Sequence, residues 1–318
     1  PSSTNTAEAA DISLYDHQKL TAAFAVCLWH VFQERGITDY KSYCYGKHQK
    51  ALRSAPVYRL ASGDISGIQK FIYTIPSKGA LKSLRGRSLY LDILLEHIVD
   101  EILEACHVSR SCLLYTGGGH FYLLLPNTTH TQAVLQKADS LINDWFLQHY
   151  GTKLYIALAS EPCSADDFSV RGGGAGKVFQ KVSQALGQKK LCRYDEQQLT
   201  ALFDAQSRYN KDTDGSRECA ICHTASPAAD LQPYGEDTGD GAEEACASCN
   251  ALFRLGKSSL TASMFVISPS AGREGVPLPG LAQPYYLQAI REKELAAMDK
   301  PKRIYVKNEI TLGQAVST

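Results

Sequence analysis

The sequence has no surplus of either charge: 33 Lys and Arg stand against 33 Asp and Glu. Composition alone therefore gives no sign of a nucleic-acid or membrane-surface partner. Long apolar runs are missing too, and none approaches the ~20 residues needed to cross a bilayer. The opening Pro1-Ser-Ser-Thr-Asn-Thr6 lacks the basic and apolar blocks of a signal peptide, and no Met precedes it. A processed, cloned or partly ordered chain is expected. Internal repeats and long low-complexity tracts are absent, which leaves no basis for a repeat architecture.

What is present suits a folded protein. The 318 residues are enough for two or three domains, with 44% apolar and 21% charged residues. Of ten cysteines, four form a paired pattern and six are scattered, with Cys27, Cys106 and Cys112 in apolar surroundings. That usage fits a reducing cytoplasm and buried thiols, not a disulfide framework.

The chain is organised around Val57–Pro126. Val57 to Ile65 alternates apolar residues into Gly63-Asp64, which predicts a half-buried strand ending on a carboxylate. Ser66-Gly67-Ile68-Gln69-Lys70-Phe71 reads as a turn that can start a helix. Leu84-Arg85-Gly86-Arg87-Ser88 follows, then Leu91, Leu95, Ile98 and Ile102 at helical spacing, so Ser88 is placed at a helix start, where an anion is favoured. Cys112–Tyr115, Thr116-Gly-Gly-Gly-His120 and Phe121–Leu125 predict a hairpin. A helix over Thr131–His149 and a strand over Leu154–Ala159 complete β-α-β-β-α-β. The expected fold class is α+β: a ferredoxin-like palm of the nucleotidyl-cyclase and polymerase kind, with an N-terminal helical segment and a small four-cysteine zinc-binding domain. In an active palm the first strand and the hairpin turn offer the acids that hold metal ions. Here Asp64 has the first position, but Gly117-Gly118-Gly119-His120 carries no acid.

Around this core, Ala10–Phe32 reads as a helix containing Asp16-His17, which suits either a metal site or a capped, solvent-facing turn. Gln33–Pro56 is polar and tyrosine-rich, a connection. Lys70, Lys78, Lys82, Arg85 and Arg87 have no acid among them from Ile65 to Tyr90, which suits phosphate or RNA backbone, or else a solvated basic loop. Arg171-Gly-Gly-Gly-Ala-Gly176-Lys177-Val178 is not a P-loop. The pattern needs Gly where Arg171 stands and Ser or Thr where Val178 stands. A helix is expected over Lys177–Leu186, and Lys181, Lys189, Lys190 and Arg193 form a second basic cluster.

The most specific pattern is Cys219-Ala-Ile-Cys222 and Cys246-Ala-Ser-Cys249, with 23 residues between the pairs. Two such knuckles can set four thiolates tetrahedrally around zinc, a closed and therefore structural site. Acidic, glycine-rich Tyr234–Glu244 cannot pack a core alone, so metal binding would supply local folding energy. Ser263–Ser268 and Arg303–Lys307 read as short strands, and Ala271–Pro284 as a mobile Gly/Pro-rich stretch.

Gly63-Asp-Ile-Ser-Gly-Ile-Gln-Lys-Phe-Ile72, Leu84-Arg-Gly-Arg-Ser88, Tyr115-Thr-Gly-Gly-Gly-His120 and the double CxxC occur in one order. Together they resemble the large, palm-bearing subunit (HD/GGDEF-like) of type III-A CRISPR effector complexes. Ser13-Leu-Tyr-Asp-His17 is similar to the end of that subunit's HD nuclease domain, and Lys302–Asn308 to the segment leading into its second palm. The resemblance implies an antiviral subunit with two activities: an HD domain that cuts single-stranded DNA with divalent metal, and paired palms that join ATP, with Mg²⁺, into cyclic oligoadenylate when target RNA is bound. It implies as partners the other effector subunits, especially the one capping the guide-RNA 5′ end, together with guide and target RNA, and no membrane.

The same resemblance gives segments: 1–50, the end of the HD domain and a connection; 51–205, a degenerate first palm; 206–260, the zinc-bearing linker; 261–318, strands leading towards a second palm. Its nucleotide pocket would use Asp64, Ser66, Gly67, Ile68, Gln69, Arg87, Ser88 and Gly117–Gly119. Zinc would take Cys219, Cys222, Cys246 and Cys249, and Asp16 and His17 would be remnants of the HD site. Asp64 can support Mg²⁺ or hold the turn, and its missing carboxylate partners favour the turn. The HD ligands and the acidic turn of the second palm are not in this sequence, so the chain is expected to be a fragment that performs neither reaction alone. The alternative is a zinc-knuckle RNA-binding scaffold with a nucleotide-inert palm. A third possibility, a GGDEF-type diguanylate cyclase, is opposed by the acid-free turn.

Overall fold

The computed structural model describes residues 13–75, 79–169, 174–206, 216–235, 242–272, 274–298 and 300–307. Lys78, Arg171–Gly173 and Asn308, named above, lie outside them. The chain divides into two compact units: residues 1–68 with 92–211, and residues 69–91 with 212–318.

The first unit opens on α1 (Leu14–Glu34), whose buried residues Ala23, Cys27 and Val31 recur every fourth position. The polar stretch after it holds two short helices, α2 (Tyr40–Tyr45) and α3 (Gln49–Ser54), where the sequence predicted only a connection. Six residues are too few to show a helical period. The local signal is the cap: Asp39 Oδ1 accepts from Ser42 N at 3.1 Å.

β1 (Tyr58–Ser66) runs two residues past Asp64 instead of ending on it, because Ser66 still pairs with Tyr155. Along the chain come α4 (Ile68–Tyr73), α5 (Ala80–Ala105), β2 (Leu113–Gly117), β3 (His120–Pro126), α6 (Thr129–Tyr150) and β4 (Tyr155–Cys163). The four strands form one antiparallel sheet in the order β2-β3-β1-β4. Leu60, Phe121, Leu123 and Ile156 on the sheet and Leu94, Ile98 and Ile102 on α5 are fully or almost fully buried. Each such side chain contributes about 1.5–3 kcal/mol. Buried Asn143 on α6 pairs with both backbone groups of one β4 residue: its Nδ2 donates to Ile156 O and its Oδ1 accepts from Ile156 N, each at 3.0 Å. α7 (Gly176–Leu191) buries Val178, Val182 and Leu186, and α8 (Glu196–Phe203) starts on an Asp195–Gln198 capping box.

The second unit contains most of α4 and the start of α5. Two small ribbons follow, β5 (Ser216–Glu218) with β6 (Ala225–Pro227) and β7 (Gln232–Pro233) with β8 (Glu244–Ala245). Then come α9 (Ala247–Ser258), β9 (Met264–Ser268), β10 (Val276–Leu278), β11 (Tyr285–Ile290), α10 (Glu292–Leu295) and β12 (Arg303–Val306). β10-β11-β9-β12 is a second antiparallel sheet. β10 lies inside the stretch expected to be mobile. Its Pro277 is tolerated because β10 is an edge strand, where a missing N–H costs no ladder bond. α5 and α9 meet backbone to backbone. A methyl group on Gly86 would stand 1.9 Å from Leu252 O, and one on Gly256 would stand 1.8 Å from Lys82 O.

Candidate functional site

In the first unit the pairing of β1 with β3 sets Asp64 opposite His120, at the mouth of the glycine turn. Gly118 and Gly119 have φ of +61° and +89°, a two-residue turn that suits the twist of the hairpin. Ile65 N donates to Gly119 O at 2.9 Å, which ties the turn to β1. Gly67 has φ +93°, and a methyl group there would stand 2.0 Å from Lys153 O. Only glycine fits this close approach. Asp64, Ser66, Gly67, Ile68 and Gly117–Gly119 therefore gather at one end of the sheet. Gln69, Arg87 and Ser88 belong to the second unit.

Asp64 is not a bare carboxylate. Lys190 Nζ, from the last turn of α7, donates to Asp64 Oδ2 at 2.5 Å, and His120 Nδ1 lies 3.5 Å from the same oxygen. His120, then Lys190, hold the Asp64 carboxyl below its ordinary value of 3.8, against the opposing effect of burial. His120 Nε2 is 3.1 Å from Ser62 Oγ, whose hydroxyl donates to Phe121 O. The sequence flagged Lys190 only as part of a basic cluster. Its lysine–lysine ending of a helix gave no hint of which acid it meets. Two more members of that cluster are also engaged: Lys189 with Asp139 at 2.5 Å, and Arg193 over the Tyr155 ring. A cavity of about 600 Å³ lies elsewhere in this unit, lined by Arg59, Ser62, Gln136, Asp139 and Lys189 among others. Asp64 and the glycine turn are not in its lining.

Asp16 and His17 are exposed in the first turn of α1. Asp16 N donates to Ser13 Oγ at 3.0 Å, and Ser13 Oγ donates to Asp16 Oδ2 at 2.6 Å. This is a helix cap. Among the described residues, the one group of three or more His, Cys, Asp or Glu able to hold a metal lies in the second unit.

That group is Cys219, Cys222, Cys246 and Cys249, whose sulfurs all lie within 4.8 Å of one another. The Sγ atoms of Cys222 and Cys246 are 3.8 Å apart. A tetrahedral site with ~2.3 Å metal–sulfur bonds has edges of about 3.8 Å, so the four donors fit a divalent ion such as zinc. Knuckle backbone supports them: Cys246 N donates to Cys219 Sγ at 3.3 Å, and His223 N to Cys219 O at 2.9 Å. Ile221, Leu231, Tyr234, Ala245 and Phe253 pack around the cluster as its own small core. Contact with Cys219 first, then with Cys246, pushes the Cys222 thiol down.

Two expectations change here. α5 begins at Ala80, so Ser88 sits in its third turn and has no free helix N-terminus beside it. Arg87 is 2% exposed and does not face solvent. Its Nη1 donates to Phe71 O at 3.0 Å, its Nη2 lies 3.3 Å from Cys249 Sγ, and its guanidinium stacks over the Phe71 ring. Lys82 and Arg85 likewise turn to α9, over the Phe253 ring and towards Gly256 O.

A family model described as Csm1 subunit domain B matches residues 57–206. A Mycobacterium tuberculosis protein, the CRISPR system single-strand-specific deoxyribonuclease Cas10/Csm1 (subtype III-A), is 36% identical over 333 residues, covering 100% of this chain and 39% of that protein. The chain belongs to the Cas10/Csm1 family. It spans about two fifths of the length of the curated Cas10/Csm1 relatives it matches, 39% and 40% of the first two. In fold it is similar to Csm1 in a crystal structure of the Csm1–Csm4 subcomplex of the type III-A CRISPR-Csm interference complex. That match has a TM-score of 0.62 at 24% identity, over 95% of this chain and 33% of the other. It is similar as well to Csm1 in a Csm1–Csm4 cassette in complex with pppApApA, with a TM-score of 0.52 at 30% identity, over 61% of this chain and 25% of that one. Among the described residues, no helix is long and apolar enough to cross a membrane.

Proposed function

We propose that the first unit carries the first palm of a cyclic-oligoadenylate-synthesising subunit and grips the triphosphate of ATP with its loop tips. The observation that carries this is the junction of Asp64 with the Gly117–Gly119 turn, beside Ser66–Gly67, at one end of a β2-β3-β1-β4 antiparallel sheet. That strand order with β-α-β-β-α-β connection is what a ferredoxin-like palm requires. Exposed glycine turns allow close backbone approach to phosphate. The pppApApA bound to a similar Csm1–Csm4 cassette points to adenine nucleotides.

This palm supplies binding, not metal catalysis. The turn has no acid to share an ion with Asp64, and Lys190 already neutralises that carboxylate. Joining nucleotides needs the acidic turn of a second palm, so this chain alone is expected to perform neither that reaction nor DNA cleavage. Asp16 and His17 could serve an HD-type metal site only with ligands from elsewhere in an intact subunit. Zinc held by the four cysteines would be structural: a closed sulfur shell leaves no position for water or substrate. In the intact subunit the partners would be other effector subunits such as a Csm4-type protein, guide and target RNA, and single-stranded DNA, in the cytoplasm.

A second reading keeps the zinc knuckles as an RNA-binding scaffold and makes the palm inert to nucleotide. The engagement of Asp64 by Lys190 and His120 favours it. Calorimetric titration with ATP and Mg²⁺ separates the two. Binding that is lost in Ser66→Tyr supports the palm reading, and no heat at millimolar ATP supports the scaffold.

A further inference from the structure

We propose that Arg87 is the outer-sphere counter-cation of the four-cysteine metal centre, donating to the sulfur of Cys249 and tying the centre to the α4 backbone. The inference rests on the reading of the cysteines as a metal site, and it assigns a role to a residue outside the ligand set.

The argument starts from the cost of a buried cation. Arg87 is 2% exposed, and a guanidinium removed from water needs an anionic or strongly accepting partner. Among the described residues no carboxylate lies within ion-pair distance of it. Its polar neighbours are the Phe71 carbonyl at 3.0 Å and Cys249 Sγ at 3.3 Å, and its Nε has no hydrogen-bond partner. The Phe71 ring covers one face of the guanidinium at 4.9 Å. Four neutral thiols would leave this charge uncompensated. Four thiolates around a divalent ion carry two net negative charges, and Arg87 offsets one of them at contact distance. An N–H···S bond of this kind removes electron density from the sulfur and steadies the metal–thiolate shell.

The position also explains the motif. Gly86 lets α5 approach the backbone of α9 so closely that the next residue, Arg87, is delivered to Cys249 in the first turn of α9. The arginine of the Arg85-Gly86-Arg87 motif thereby serves the metal end of the second unit, not a phosphate.

The test uses the 318-residue chain purified with zinc, alongside Arg87→Met and Arg87→Lys. Zinc affinity is read by competition with a chromophoric chelator. The sulfur-to-metal charge-transfer band is read after cobalt substitution. Loss of the outer-sphere donor predicts zinc binding weakened about 10–100-fold in Arg87→Met with a shifted cobalt band. Arg87→Lys, which keeps the charge, should stay near wild type in both. Arg87→Met that matches wild type in affinity and spectrum overturns the proposal, and so does an Arg87→Lys as defective as the methionine variant. Should Arg87→Met fail to fold, the lysine variant decides alone: wild-type-like affinity and band uphold the charge role, and loss of both removes it. A wild-type chain that holds no metal would instead overturn the underlying metal reading.

Discussion

Lys190 Nζ and Asp64 Oδ2 stand 2.5 Å apart, across 126 positions of sequence. A lysine ammonium thus sits beside the strand carboxylate where a two-acid palm would place a divalent ion. On the palm reading proposed above, this pair would separate nucleotide binding from nucleotide transfer.

The pair makes a measurable contribution to stability. A double-mutant cycle of Asp64→Asn and Lys190→Met should give a coupling of about 0.5–1 kcal/mol at pH 7. The folded-state value of Asp64 lies below 3.8, so the contribution is full at neutral pH and is lost as pH falls through that depressed value. Urea titrations at pH 7 and near pH 3 check this. Coupling that is absent at pH 7, or unchanged in acid, contradicts it.

Gly67 is held in a left-handed conformation against the Lys153 carbonyl. Gly67→Ala should destabilise the chain by about 1–3 kcal/mol, from backbone strain and the clash together. Thermal melts read the loss, and ATP titration should show weaker binding in the same variant. An unshifted melt would mean that the turn relaxes freely.

Asn143 replaces a strand partner for Ile156. Asn143→Ala leaves a buried N–H and a buried carbonyl unpaired, at a cost of about 2–3 kcal/mol. Amide exchange at Ile156 should quicken far more than at Leu123 on β3. Equal changes at both positions would point to global destabilisation instead.

The cysteine cluster should hold about one zinc per chain, and Cys222→Ser should lower that content and loosen the region near Cys246. Chelation of the wild-type protein should expose Leu231 and Phe253, which pack on the cluster. Protein purified without chelator that contains no zinc ends this prediction.

Much of the first unit was legible because its helices and strands are long enough to show their periods. α6 and β4 appear within a few residues of the expected bounds, and the hairpin falls on its three glycines. α2 and α3 were hidden because each is only one or two turns long, and α2 carries tyrosines in place of an aliphatic stripe. The early start of α5 was hidden by Lys82, Arg85 and Arg87, basic residues that imitate a loop while all three reach α9. Burial of Arg87 could not be read from composition, since a charged residue is ordinarily outside. The four cysteines, by contrast, were fully legible, because metal-ligand spacing is a local code. Lys190 was not, because the partner that gives it meaning is distant in sequence.

The bare crossing of Gly86 and Gly256 has a further consequence. Cys249 and Gly256 are seven residues apart on α9, two helical turns, so the sulfur and the notch lie along one line of that helix. Removing a single residue between them would swing the notch by roughly 100° and present a side chain to α5 where only hydrogen now fits. The interval from 249 to 256 therefore acts as a ruler of fixed length: an exchange of residues within it keeps the phase, but an insertion or deletion would pull the sulfur shell and the helix contact out of phase.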